Sequence, residues 1–222
     1  YALDDPNLKA VLHARTHEAA LASRWGTVSD ATGSCSIRFG YGPALFMRNM
    51  LGSLLAASAV LGCKPLELAP LVELIKQVEG RFCIIPNNLS ILTIVDFAHT
   101  ADAFEQLFSE VEKLYPASRI VAVFGAAGER DRSKRAPMGA IAAKHCCSIV
   151  LTDEDPRNED PSGINADIKS GIACKAAVTV HEIADRRSAL AFALRLCRPG
   201  DVLLALGKGH EHTIQYPAGP LA

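Results

Sequence analysis

Residues 119–135 read Arg-Ile-Val-Ala-Val-Phe-Gly-Ala-Ala-Gly-Glu-Arg-Asp-Arg-Ser-Lys-Arg. A short β-branched run, Arg119–Phe124, stops on a glycine and gives way to a loop dense in charge. That is the pattern of a buried parallel strand ending at a ligand-facing edge. Working outward, the same alternation repeats. Upstream lies a strand at Leu92–Asp96, and between the two Phe104, Leu107, Phe108, Val111 and Leu114 recur at helical spacing. Asp102, Glu105, Glu110 and Lys113 fall on the other faces, so the connection is an amphipathic crossover helix. Downstream, a helix over Pro137–Lys144 leads to a strand at Ser148–Thr152. Asp160 can cap the next helix, with Pro161 at its first position and Ile164, Ile168 and Ile172 on one stripe. A strand at Ala177–Val180, a helix from Asp185 that stops before Pro199-Gly200, and a strand at Val202–Leu206 complete the series. Five strands joined by four right-handed helical crossovers predict a doubly wound, mostly parallel, Rossmann-like α/β domain.

Residues 1–80 read differently. A polar, glycine-containing first half precedes a helical stretch from Asn49 to Gly62 and another from Leu66 to Val78, which is the look of the tail of a preceding domain. Gly80 falls at the hinge, so the expected division is 1–80 and 81–222. No internal repeat or low-complexity segment is present.

The bulk composition, 49% apolar and 21% charged over 222 residues, is that of a globular protein with a real core. A formal net charge of -1 without a basic block gives no footprint for nucleic acid. The longest apolar stretch, Met50 to Leu61, is shorter than the roughly 20 residues needed to span a bilayer. The seven cysteines (35, 63, 83, 146, 147, 174, 197) are odd in number and lack paired CxxC spacing, which fits a reducing cytoplasm better than a disulfide framework or a zinc site. The chain opens on Tyr1 without a signal peptide and reads as a fragment.

Four polar clusters follow successive strands. Asp96-Phe97-Ala98-His99-Thr100 comes after the first; a histidine there is as often a packed or capping residue as a functional one. The loop from Gly125 to Arg135 comes after the second. It lacks the third glycine of a dinucleotide fingerprint, yet its four cations suit an anionic ligand, arginine in particular through bidentate contacts. Asp153-Glu154-Asp155-Pro156-Arg157 follows the third strand, and Gly207-Lys208-Gly209-His210-Glu211 the last. Each alone reads as a polar turn. Together, on one rim of one sheet, they read as a site.

In these residues the chain resembles the third domain of the Mur ligases, in its MurE-type branch. Gly80-Arg81 matches the Gly-Arg at the start of that domain. Asp96-Phe-Ala-His99-Thr-Ala-Asp102 matches Asp-Tyr-Ala-His-Thr-Pro-Asp. Gly128 to Arg135 matches the Gly-Gly-Asp-Arg-Asp-x-x-Lys-Arg loop. Asp155-Pro-Arg157 stands where the branch has Asn-Pro-Arg, and Gly-Lys-Gly-His-Glu at 207–211 is unchanged. Upstream, Asp4-Asp5-Pro6 and Asn49 resemble the late part of the family's central domain, although Leu45-Phe46-Met47-Arg48-Asn49 lacks the first asparagine of Phe-Asn-x-x-Asn.

The resemblance implies an ATP-dependent, ADP-forming ligase of peptidoglycan synthesis. ATP phosphorylates the terminal carboxylate of UDP-N-acetylmuramoyl-L-alanyl-D-glutamate, and a diamino acid attacks the acyl phosphate. The phosphate loop and the ligands of Mg2+ are not in this chain, which leaves it inert alone and dependent on the missing segments of the same enzyme. It further implies that Asn49, Arg81, Asp96 and His99 face the nucleotide, and that Arg130, Asp155, Arg157, Gly207 and Glu211 hold the amino acid. The substrate stays open between meso-diaminopimelate and lysine or ornithine, because Asp155 replaces an asparagine. Alternatives are a cyanophycin- or folylpolyglutamate-synthetase-like domain and a non-catalytic nucleotide- or amino-acid-binding module.

Overall fold

The computed structural model describes residues 2–3, 13–20, 23–39, 44–173 and 177–221, so Asp4, Asp5, Pro6 and Cys174 lie outside the described residues. The chain divides into two compact units, Tyr1–Gln77 and Val78–Ala222.

The first unit opens with strands the sequence reading did not separate: β1 (Ala2–Leu3), β2 (His13–Ala20), β3 (Ser23–Asp30) and β4 (Gly33–Phe39), hydrogen-bonded in that order. The β3–β4 turn is tight because Asp30 Oδ1 accepts from the Thr32 amide at 2.6 Å and its hydroxyl at 2.7 Å, an Asx-type closure. Helix α1 (Ala44–Leu61) buries Met47, Leu51 and Leu54, one helical stripe, against Val28 and Ile37 of the sheet. The stretch expected as a helix from Leu66 to Val78 is instead a short α2 (Pro65–Leu68) followed by a 3-10 turn at Ala69–Leu74. Pro70 explains the break, since it lacks the amide that a continuing α-helix needs.

The second unit is the doubly wound domain. In chain order it contains β5 (Cys83–Ile85), β6 (Leu92–Asp96), α3 (Ala101–Leu114), β7 (Ile120–Phe124), α4 (Arg135–His145), β8 (Ser148–Leu151), α5 (Pro161–Ser170), β9 (Thr179–Glu182), α6 (Arg186–Leu196) and β10 (Val202–Leu206), then the hairpin strands β11 (Ile214–Tyr216) and β12 (Gly219–Leu221). The main sheet runs β5-β6-β10-β7-β8-β9. All neighbours are parallel except β5, which pairs antiparallel along the free edge of β6. Every residue of β7 and β10 is buried, as central strands covered on both faces must be. On α3, Phe104, Leu107, Phe108 and Val111 are buried, and the Phe104 ring meets Phe124 edge-on at 5.0 Å. Asp160 and Asp185 cap α5 and α6 by accepting the Ser162 and Ser188 amides at 3.1 and 2.7 Å.

Several boundaries moved: α1 starts at Ala44 rather than Asn49, and α4 at Arg135 rather than Pro137. The strand expected at Ala177–Val180 is β9 at Thr179–Glu182, and Ile172 lies beyond the end of α5. An edge strand that pairs on one side only tolerates the exposed Thr179 and Glu182, so apolar content did not mark its limits. Among the described residues no single helix is long and apolar enough to cross a membrane.

Candidate functional site

The four polar clusters stand at the carboxyl ends of β6, β7, β8 and β10, and hydrogen bonds tie them to one another. After β6, both oxygens of Asp96 are taken by backbone amides, Oδ2 by Phe82 at 2.6 Å and Oδ1 by Ala98 at 2.7 Å. Asp96 therefore pins the segment leading into β5, where Phe82 is fully buried at φ 47. Gly80 just before it must be glycine: at φ 66, a Cβ there would stand 2.0 Å from the His210 amide nitrogen. The Arg81 guanidinium lies over the Phe97 ring at 4.5 Å, and His99 meets the same ring edge-on at 4.9 Å. Burial raises the Asp96 carboxyl above its ordinary pKa, against the pull of the two amides.

The loop after β7 spends most of its charge internally. Arg135 is fully buried, donating to Asp167 Oδ2 at 2.8 Å and the Ala127 carbonyl at 3.2 Å, with Glu159 Oε2 at 3.0 Å. Arg132 also donates to Glu159, at 2.8 Å, and the Glu129 amide reaches the same carboxylate at 2.5 Å. With so many donors, led by Arg132, the Glu159 carboxyl is pulled down to about 2. Lys134 donates to the His99 carbonyl at 2.9 Å, which joins this loop to the one after β6. Of the four cations read as anion-binding, only exposed Arg130 makes no hydrogen bond or ion pair among the described residues.

The loops after β8 and β10 interlock. Asp155 Oδ1 accepts from Lys208 Nζ at 2.8 Å and the Gln215 amide at 2.9 Å, and Lys208 also contacts Glu211 Oε2 at 2.7 Å. Arg157, at φ 54, donates through Nη1 to the Gly128 carbonyl at 2.6 Å, while the Gly128 amide donates to the Asp155 carbonyl at 2.8 Å. Glu154 is 6% exposed and packs beneath Gly207, where a Cβ would fall 2.1 Å from its Oε2. Burial raises its carboxyl pKa although Arg186, Lys134, His99 and Lys208 oppose this. Tyr216 of the hairpin donates to Asp153 Oδ2 at 2.9 Å; burial first, then that carboxylate, push its phenol up to about 12.

Beside this rim lies a cavity of about 500 Å³ between α6 and the hairpin. Leu190, Leu194 and Ile214 supply apolar wall; Arg186, Lys208 and Glu211 supply charge.

Thus Arg81, Asp96, His99, Arg130, Asp155, Arg157, Gly207 and Glu211 all sit at this strand-end rim. Asn49 is exposed on α1 in the first unit, its carbonyl accepting from Ser53 Oγ at 2.9 Å. Sequence reading assigned no role to Glu154, Lys208, Arg186 or Tyr216. The first two stood inside quoted motifs, but their burial is a tertiary fact; Arg186 and Tyr216 carried no local signal.

Residues 80–209 match the family described as Mur ligase, glutamate ligase domain. A 2,6-diaminopimelate ligase for UDP-N-acetylmuramoyl-L-alanyl-D-glutamate from Chromobacterium violaceum is 36% identical over 215 residues, 95% of this chain and 41% of that protein. A UDP-N-acetylmuramyl-tripeptide synthetase from a Roseiflexus species is 44% identical over 153 residues, 68% of this chain and 30% of that protein. A solved structure of a ligase with the first of these names superposes with TM-score 0.63 at 30% identity, over 97% of this chain and 43% of that one. The folylpolyglutamate synthase of Mycobacterium tuberculosis complexed with ADP reaches TM-score 0.73 at 15% identity, over 90% of this chain and 45% of that one, which shows a shared fold. The chain spans 41% or less of the length of the two named sequence relatives. By the match over 80–209 and by these relatives, the chain belongs to the Mur ligase family and carries its glutamate ligase domain.

Proposed function

We propose that this chain is the carboxyl-terminal part of an ATP-dependent, ADP-forming amide ligase that adds a diamino acid to UDP-N-acetylmuramoyl-L-alanyl-D-glutamate. Residues 1–80 are then the end of its central domain and 81–222 its carboxyl-terminal domain. The observation that carries this reading is the meeting of four charged loops on one rim, with arginines and carboxylates side by side. Such a rim suits a zwitterionic amino acid.

ATP activates the dipeptide's terminal carboxylate as an acyl phosphate, which the incoming amine opens. This chain's part is placement. Arg81, held over Phe97, and His99 present a cation and a ring beside the Asp96 loop, which suits a nucleotide. Asp96 has given one lone pair per oxygen to backbone amides, and its remaining capacity suits a ribose hydroxyl. On the other side, Arg130 and the free N–H groups of Arg157 take a carboxylate, and Glu211 with the Gly207 backbone takes an ammonium. Placing the amine so is worth much of the barrier, since a bound near-attack geometry replaces a bimolecular encounter. The Mg2+ of the proposed reaction is assigned to another segment of the enzyme on the family resemblance.

Asp155, standing where the branch has asparagine, is a carboxylate that could compete with the ligand for the arginines. Its partner is Lys208, so the arginines stay available for a distal carboxylate, which favours meso-diaminopimelate over lysine. The test is Arg130→Ala in the full-length protein that carries this chain. The KM for the diamino acid should rise about tenfold or more, as loss of a charge-assisted pair predicts, with the KM for ATP unchanged. An increase confined to ATP would sink the assignment.

A further inference from the structure

The turn that leads into β5 is held in a costly shape. Gly80 and Phe82 both have left-handed backbones, φ 66 and 47, and Phe82 is fully buried. A bulky residue keeps such a conformation only where its neighbours impose it. Two hydrogen bonds do so: the Arg81 amide donates to the Val78 carbonyl at 3.1 Å, and the Phe82 amide to Asp96 Oδ2 at 2.6 Å. Between them Arg81 is aimed over the Phe97 ring.

The same turn lies against the loop after β10, backbone on backbone. A Cβ on Gly80 would stand 2.0 Å from the His210 amide nitrogen and 2.3 Å from the Gly209 carbonyl carbon. A Cβ on Gly209, itself at φ 50, would stand 2.8 Å from the Gly80 carbonyl oxygen and 2.8 Å from Phe97 Cβ. Each glycine therefore serves the other's approach as well as its own turn. Gly62 shows the difference: its φ is 67, yet nothing lies within 4 Å of its Cβ position. A second tie runs through Asp96, whose side chain holds Phe82 while its carbonyl accepts from the Gly207 amide at 3.2 Å.

We infer that the turn at 78–82 is a brace between the two halves of the rim, with Gly80 and Gly209 as positioning residues that touch neither ligand. Through their contact the segment that aims Arg81 also sets the height of the loop at 207–211, and the loop in turn sets Arg81 and Phe97. The names of the two ligands, a nucleotide on the Arg81 side and an amine on the Glu211 side, rest on the ligase reading above; the contact itself does not.

The experiment measures KM for ATP and for the diamino acid in the full-length protein, for wild type, Gly80→Asn, Gly209→Ala and the control Gly62→Ala. Asparagine tolerates a left-handed backbone, so Gly80→Asn brings chiefly the new Cβ. The His210 amide must then retreat on the order of 1 Å, and a misplacement of that size costs up to about a hundredfold in rate. The expected shifts are crossed. Gly80→Asn should raise KM for the diamino acid about tenfold, although position 80 adjoins Arg81 on the nucleotide side. Gly209→Ala should raise KM for ATP by about as much, although position 209 lies in the amine-binding loop. Gly62→Ala should move neither. Partial unfolding removes active protein and lowers kcat but leaves both KM values in place, so shifts in kcat alone overturn the brace, as do shifts confined to each variant's own side. Should Gly209→Ala not fold, the crossed shift of Gly80→Asn decides. Thermal unfolding of the 222-residue chain gives a reading that needs no substrate. The two substitutions open one contact, so the double variant's fall in Tm should be smaller than the two single falls added; additive falls overturn the inference. A wild type that joins no diamino acid to the UDP-linked dipeptide defeats the ligase reading, and the additivity of the melts then decides the brace by itself.

Discussion

Replacing Arg135 by Met removes a guanidinium that is 0% exposed and holds Asp167, Glu159 and the Ala127 carbonyl at 2.8, 3.0 and 3.2 Å. Deleting one partner of a buried ion pair costs about 3–5 kcal/mol when the other charge is left stranded. Here neither carboxylate is stranded. Asp167 has a side chain 47% exposed and can return to water, and Glu159 keeps Arg132 and the Glu129 amide. What remains is the loss of charge-assisted bonds and of the Ala127 carbonyl's partner, about 2–3 kcal/mol. In a unit the size of residues 78–222 each kcal/mol moves Tm by about 2–4 °C, so the melt should fall by about 4–12 °C. Arg132→Met is the control: its side chain is 68% exposed, and a surface pair is worth at most about 1 kcal/mol. Thermal unfolding of the 222-residue chain followed by circular dichroism reads both. If the two variants melt together, Arg135 is not the buried tie between the loop after β7 and α5, and the reading of that loop as self-braced is wrong.

Other expectations follow from the same contacts. The Glu159 carboxyl sits at about 2 in the fold against an ordinary 4.5, a depressed value, so its stabilisation is complete above the ordinary value and drains away as pH falls toward the folded one. The Tm gap between wild type and Glu159→Gln should hold from neutral pH to about 5 and then close; a gap that persists at about pH 2 would contradict the assignment. Gly207→Ala should destabilise the chain more than Gly200→Ala. Both glycines have positive φ, 96 and 91, but a Cβ at 207 meets Glu154 Oε2 at 2.1 Å while one at 200 meets nothing within 4 Å. The backbone share of each is about 1–3 kcal/mol, so equal melts would show that Glu154 does not pack against Gly207.

Much of the second unit was legible because its signals are local. The apolar runs at Leu92–Asp96 and Val202–Leu206 coincide with β6 and β10, and Asp160-Pro161 announced the start of α5. What failed to show was set by pairing rather than by side chain. Cys83–Ile85 becomes β5 because β6 offers a free edge, and Ile214–Tyr216 with Gly219–Leu221 form a hairpin too short to carry a period. The meander over 13–39 hides because its recorded core residues, Val28 and Ile37, are separated by polar positions. The site divides the same way. Charge at strand ends was readable one residue at a time, whereas which charges remain open was not. The four cations after Gly128 looked alike in sequence, yet Glu159, Asp167 and a backbone carbonyl claim three of them. Glu154 and Arg186, far apart in the chain, come within reach of each other's charge only once β8 and α6 pack on one sheet.

The central claim is the joining of a diamino acid to a UDP-linked dipeptide, and product mass tests it most directly. The full-length protein that carries this chain would be incubated with ATP, Mg2+, UDP-N-acetylmuramoyl-L-alanyl-D-glutamate and one diamino acid at a time, and the UDP-linked species weighed by mass spectrometry. The expected result is a tripeptide product, heavier by one diamino acid less water, with ADP in equal amount and meso-diaminopimelate the best substrate. Recovery of the dipeptide unchanged with meso-diaminopimelate, lysine and ornithine alike would contradict it.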